Sequence, residues 1–317
     1  MSLSAHTSCS INCFYYCRNP LVRVPPETTL PDPLENSPWY GETWVRYPSS
    51  QSRLPMQHPF LFKAKAELWS IINEFSVFAF NRIDPRKIIP PPDVLPFYSR
   101  MVSWFNGLPE PLTPQKMAFP HQLMLHMQYL NLLMGILKPI RLVPDWGVDN
   151  QIPPPESPVE AYQNTLSCYE TVIRLYYLRH GFQAPNSFLV NFLGTLAQVT
   201  LDAMAANKDA NHSEHLRSTM LLTVKGLYEQ GASHYVSKVV FRMFYSLMRK
   251  EDIQLFKRLT AINDEVSDDE LNGPLKHPVQ SDWPAYNSSY NEVARPLSSA
   301  VESLSLDPKG GPTGLSG

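Results

Sequence analysis

Apolar positions in this chain recur mainly at steps of three and four, the period of helices with one buried face. Leu61, Ala64, Leu68, Ile71, Phe75 and Phe78 form one such stripe, with Lys63, Lys65, Glu67 and Glu74 off it, and predict a helix over Leu61 to Phe78. Leu95 to Phe105 reads as a second helix, closed by Gly107. Pro120 to Leu137 is a third, apolar on nearly every side and therefore central, stopped by Pro139. The run S-P-V-E (Ser157 to Glu160) has the form of a capping box and opens a long helix that Gly181 ends. In it Tyr162, Leu166, Tyr169, Ile173 and Tyr176 make an inner stripe. Cys168, Val172, Leu175 and Arg179 make a second, mostly apolar row, which predicts a helix covered on two sides. Further helices are expected at Asn186 to Ala206, His212 to Glu229, Tyr235 to Arg249 and Ile253 to Ile262. Gly231 separates the second and third of these, and Val236, Val240, Met243 and Leu247 are the expected buried row of the third. No strand alternation runs longer than a few residues. The pattern predicts an all-α, multi-helix, bundle-like fold.

Three regions follow. Residues 1–58 read as an irregular, proline-rich strap, in which Trp39, Tyr40, Trp44, Val45 and Tyr47 are expected to dock on the body. Residues 59–263 are the helical body, interrupted at Asp84-Pro85, at Pro90-Pro91-Pro92 and at Pro153-Pro154-Pro155. Residues 264–317 form an acidic, low-complexity tail, read as disordered, with Trp283, Tyr286 and Tyr290 as candidates for local docking.

Composition sharpens this picture. The 317 residues hold 31 prolines and only 13 glycines, which suits helices with stiff connections better than a hairpin-rich fold. A formal net charge of -2 leaves no global field for nucleic acid or anionic membrane. The apolar run Leu123 to Val143 contains His126, Gln128, Asn131, Lys138 and Arg141 and is too polar to span a bilayer, so a soluble chain is expected. Four cysteines, three of them crowded near the start, make no disulfide framework and point to a reducing compartment.

Candidate chemistry is sparse. Cys9, Cys13 and Cys17 are spaced C-x3-C-x3-C with His6 nearby, which is not the paired spacing of a closed zinc site. His212, Glu214 and His215 open a helix without the spacing of a metallohydrolase pair. His121 and His126 are expected to bond backbone groups within the core. No nucleophile elbow, phosphate-binding loop or dinucleotide fingerprint is present. Ser267 to Glu270 has the charge pattern of an acid-directed phosphorylation site, although a solvated loop is the better reading of it. No catalytic, cofactor-binding, metal-binding or DNA-binding residue is assigned.

Several blocks nevertheless resemble a known family in their order. W-Y-G-E-T-W-V-R-Y-P (Trp39 to Pro48), F-K-A-K-A-E-L-W-S-I-I-N-E (Phe62 to Glu74), W-F-N-G-L-P-E-P-L (Trp104 to Leu112), L-H-M-Q-Y (Leu125 to Tyr129) and the run Cys168 to Pro185 resemble the fungal zinc-cluster transcription factors. The nitrate-assimilation regulator type is the nearest in kind, and the likeness covers about Trp39 to Ala206. The resemblance implies the C-terminal part of the family's all-helical regulatory region. It implies control of transcription by RNA polymerase II through a small effector or through partners such as co-regulators or the transcription machinery, in the nucleus and without catalysis. The family's DNA-binding domain holds two zinc ions on six cysteines in C-x2-C-x6-C halves. The four cysteines here do not match that pattern, so zinc and DNA are expected only through a domain this chain lacks. The chain then reads as a truncated product, an incomplete gene or a free-standing relative. The residues alone also admit a helical metabolite-binding or protein-interaction module with no DNA role.

Overall fold

The computed structural model describes residues 10–24, 30–46, 52–81, 89–147, 156–206 and 210–260. Among them 72% are helical and 3% are strand, with ten helices, so the fold is all-α. The chain divides into two compact units, Met1–Tyr176 and Tyr177–Gly317.

In the first unit a short helix α1 spans residues 10–15 and a single turn α2 spans Ser37–Tyr40. Strands β1 (Trp44–Arg46) and β2 (Arg53–Pro55) pair antiparallel, with Val45 opposite Leu54. Three long helices carry the core: α3 (His58–Phe80), α4 (Pro91–Asn106) and α5 (Pro120–Leu137). Each packs on the other two. The expected α3 stripe is buried from Leu61 to Phe75, while Phe78 at its end is 37% exposed and meets Phe97 at 5.5 Å. Helix α5 is central as expected, buried from Leu125 to Met134, and Pro139 diverts its end into a 3-10 turn over Lys138–Ile140.

Helix α6 (Pro158–His180) starts as expected. The Ser157 backbone N–H and hydroxyl both donate to Glu160 Oε2 at 2.9 Å, and the Glu160 N–H donates to Ser157 Oγ at 3.3 Å. Its buried positions are Pro158, Ala161, Thr165, Tyr169, Val172, Ile173 and Tyr176. That is one face: Tyr169, Ile173 and Tyr176 of the predicted stripe are buried as expected, while in the first half the buried positions shift by one residue to Ala161 and Thr165. Tyr162 and Leu166 fall at its edge, and Cys168 and Arg179 are exposed. The expectation of cover on two sides was therefore wrong. Thr165 and Ala161 are small enough for a neighbour to approach closely, and bulk alone does not reveal that.

The proline triplet before α4 is not a break. Pro90 caps the helix in extended conformation, and Pro91 and Pro92 occupy its first turn, where no N–H is needed. Gly107 ends α4 with φ -87, so no left-handed turn requires glycine there. Gly181 after α6 is left-handed, φ +66, and does require it.

The strap also differs from expectation. Trp39 and Trp44 are 63% and 59% exposed, and Tyr47 lies outside the described residues. Tyr40 does meet the body, 6.1 Å from Phe62, and Ile11 and Phe14 of α1, both buried, dock as well. Phe14 approaches Phe75 at 5.9 Å, and its ring lies so close to Gly135 that a Cβ there would stand 2.8 Å from Phe14 Cζ.

The second unit holds α7 (Ser187–Ala206), α8 (Ala210–Gly231), α9 (Tyr235–Ser246) and α10 (Lys250–Thr260). Helix α8 packs against the other three. Four aromatic rings fix this packing: Tyr228, Phe241, Tyr245 and Phe256 have centroids 5.3–5.9 Å apart. The buried face of α9 is Ser237, Val239, Val240, Phe241, Phe244 and Tyr245, not the predicted row, and Leu247 is 51% exposed. Two apolar rows lie side by side on α9, and the row with the larger aromatic area turns inward. By length and a mean hydropathy of 1.3, α7 and not Leu123 to Val143 is the helix that passes for a membrane span, yet 56% of that stretch is buried within the fold.

Candidate functional site

An open groove of about 530 Å³ lies between α3 and α4 in the first unit. Glu67, Ser70 and Ile71 line it from α3, and Ser99, Arg100, Ser103 and Trp104 line it from α4. Glu67, Ser99, Arg100 and Ser103 are exposed, so the groove is open to solvent along its length.

Its walls are built rigidly. Trp104 and Phe105 flank Tyr129 of α5, at 5.5 Å and, in a near-parallel stack, at 4.6 Å. Leu108 and Leu112, just past α4, join Leu61, Ala64 and Leu125 in one apolar cluster against Trp104 and Phe105. The connection from α4 to α5 is pinned by α5 itself. Gln122 Nε2 donates to Pro111 O at 2.9 Å, and Gln122 Oε1 accepts from the Ala118 and Phe119 N–H groups at 2.8 and 2.9 Å. His126 Nε2 donates to Leu112 O at 2.7 Å. Burial leaves the Tyr129 hydroxyl harder to ionise than usual and disfavours the charged form of His126.

Charge is unevenly satisfied around the groove. Arg100 donates two hydrogen bonds to the Glu74 carboxylate, at 2.6 and 3.0 Å, so its guanidinium is neutralised in place. Glu67 has no such partner among the described residues. Partial desolvation raises its carboxyl above the usual carboxylate range, against the attraction of Lys63. Burial raises the Tyr40 phenol, and the Asp32 and Glu67 carboxylates raise it further. Tyr40 meets Phe62 of α3 at 6.1 Å and Trp39 at 4.6 Å.

Some of the residues singled out in the sequence now have a place. His121 Nε2 donates to Met56 O at 2.7 Å, so both core histidines bond backbone carbonyls as expected. His121 stacks on Phe119 and His58. Burial, His58 and Lys65 lower its basicity. Cys13 is half-buried on α1, and Cys17 is exposed just after it; Cys9 and His6 lie outside the described residues. Glu214 and His215 are on α8, and the His212 side chain lies outside the description. Among the described residues no group of three or more His, Cys, Asp or Glu could hold a metal ion. The acidic tail, with Ser267 to Glu270, Trp283, Tyr286 and Tyr290, lies outside the described residues.

Sequence reasoning missed the buried polar clamps. Asn73 on α3 accepts from Ser10 Oγ at 3.0 Å and donates to Val22 O at 3.1 Å, and Asn131 on α5 accepts from the Tyr15 hydroxyl at 2.9 Å. These bonds tie residues 10–23 to the helices. Glu156 receives the Tyr98 hydroxyl and Asn164 Nδ2 on its carboxylate and the Trp146 indole N–H on its carbonyl. In the second unit Gln230 of α8 clamps the turn after α6. The only sequence signal was amide side chains on apolar faces, Asn73 and Asn131 above all.

No family model, no curated protein and no solved structure matches the chain.

Proposed function

We propose that this chain is the regulatory module of a fungal zinc-cluster type transcription factor, acting in the nucleus through binding at the α3/α4 groove and without catalysis. One observation carries the reading. Three of the blocks on which the family resemblance rests meet at this one place: Phe62 to Glu74 supplies Glu67, Ser70 and Ile71, Trp104 to Leu112 supplies Trp104, and Leu125 to Tyr129 supplies the Tyr129 ring behind it. The groove has the character of a binding surface, with hydroxyls, one carboxylate and an indole over an aromatic support. Its titratable groups are an exposed acid and a paired arginine, and among the described residues no hydrogen bond joins the acid to a lining hydroxyl as acyl or phosphoryl transfer would need. DNA contact, in this reading, belongs to a six-cysteine cluster that this chain lacks.

The test fuses the whole chain to an unrelated DNA-binding domain beside a reporter gene in a fungal host. The fusion is expected to enter the nucleus and change reporter output, and Ser103→Trp, which fills the groove, is expected to remove that change. A fusion that behaves like the DNA-binding domain alone would overturn the reading.

A further inference from the structure

The geometry points to a lysine- or arginine-bearing segment of a partner protein as the occupant of the α3/α4 groove, its cationic head on Glu67 beside Trp104 and its apolar neighbours on Phe62 and Trp39. This rests on the reading of the groove as a regulatory binding site and names the partner's chemistry.

Four observations support it. First, Glu67 lines the groove with no hydrogen-bond or ion-pair partner among the described residues, while the one arginine in the wall is already held by Glu74 through two bonds. Glu67 is therefore the lining charge without a bonded partner, with Lys63 attracting it through space. Second, Trp104 lines the same groove, and an indole and a carboxylate sharing one groove can hold ammonium and guanidinium groups, by cation–π attraction and charge together. Third, apolar surface is available on α3 and on the turn against it: Phe62 and Trp39, both against Tyr40, stand 42% and 63% exposed. The opposing cations are Lys63, which attracts Glu67 from one turn away, and Lys65, whose ammonium is disfavoured by burial. Fourth, the groove is open on its solvent side. A free small ligand is normally enclosed over most of its surface, which this shape does not offer, whereas a chain running along α3 can leave one side chain in the groove and others on the aromatics.

The purified full chain is titrated, by fluorescence anisotropy, with a short labelled peptide of interspersed lysine and leucine. The same peptide with acetylated lysines and free cadaverine serve as comparisons. The lysine peptide is expected to bind and to weaken as salt rises. Acetylation, or Glu67→Gln in the protein, is expected to weaken it about tenfold, the effect of one partly screened charge contact. Ser103→Trp is expected to abolish it. Circular dichroism melts of both variants should match the parent, because both sites are exposed. Absence of binding by the parent chain, equal binding of the acetylated peptide, no loss in Glu67→Gln, or cadaverine binding as tightly as the peptide would each overturn the proposal. Any of these would leave the reporter result standing, and a silent reporter would leave peptide binding standing, so the two readings fail separately.

Discussion

Gln230 offers the sharpest test of how this fold is held. Its side chain is fully buried on α8 and all of its hydrogen-bonding power is spent on the turn that follows α6. Nε2 donates to Phe182 O and, at 2.8 Å, to Ala184 O, while Oε1 accepts from the Asn186 N–H at 2.8 Å. Gln230→Leu keeps nearly the same volume and deletes all three bonds. Phe182 is buried, so its carbonyl is left unpaired at a cost of about 1–3 kcal/mol. Ala184 is exposed and Asn186 half-exposed, so water can replace those bonds at about 0.5–1 kcal/mol each. The new leucine regains roughly 1 kcal/mol of apolar burial. The net expectation is about 1–4 kcal/mol, lost from the second unit alone. Hydrogen exchange read by mass spectrometry reports it directly. Amides of α7 and α8 should lose protection by a factor of about 5 to 1,000. Peptides from α3 to α5 should be unchanged. A loss below about 0.5 kcal/mol would refute the claim that this amide, and not the surrounding apolar packing, fixes the turn.

Two glycines on facing helices of the same unit should respond with opposite signs. Gly194→Ala meets only Val240 Cγ1 at 3.7 Å and should gain up to about 1 kcal/mol of helix propensity, whereas Gly226→Ala would press to 2.7 Å on Leu193 and Phe182 and should cost about 1–3 kcal/mol, both read by thermal melts. Gly135→Ala should push Phe14 out and expose residues 10–24 to limited proteolysis; a digestion pattern like the parent's would show that α1 does not depend on that close approach. Ser157→Ala should cost about 0.5–2 kcal/mol of first-unit stability in urea unfolding by removing the α6 cap. Burial lowers the basicity of His121 and His126 in the fold, so below about pH 6.5 the unfolded chain binds the extra protons. Their contribution is fully present above that pH and is lost as the pH falls toward their folded values. Melting temperatures should therefore drop from pH 7 to pH 5, and less steeply in His126→Gln; identical slopes would count against it.

Much of the local structure was legible in the residues. The step-of-three-and-four stripe gave α3, the continuous apolar run gave the central α5 with its proline stop, and S-P-V-E gave the start of α6, because each is set by contacts within a few residues. The proline triplet before α4 misled, since proline forbids a helix interior but favours its first turn, and only the placement of the next helix says which applies. Helix faces were right where one stripe dominated and shifted in part where two apolar rows competed, as on α6 and α9. The groove was illegible: Glu67 and Trp104 are 37 positions apart and look like a polar flank and a core ring until α3 and α4 pack.

What the sequence determined by itself is the class, all-α, and the long helices α3, α5 and α6, because periodicity, caps and prolines act locally. The tertiary structure decided which faces turn inward, how Asn73, Asn131 and Gln230 are satisfied, and that a carboxylate and an indole line one groove. Those depend on contacts between residues distant in the chain, where burial requires a partner for every polar group and a gap between two helices belongs to neither of them.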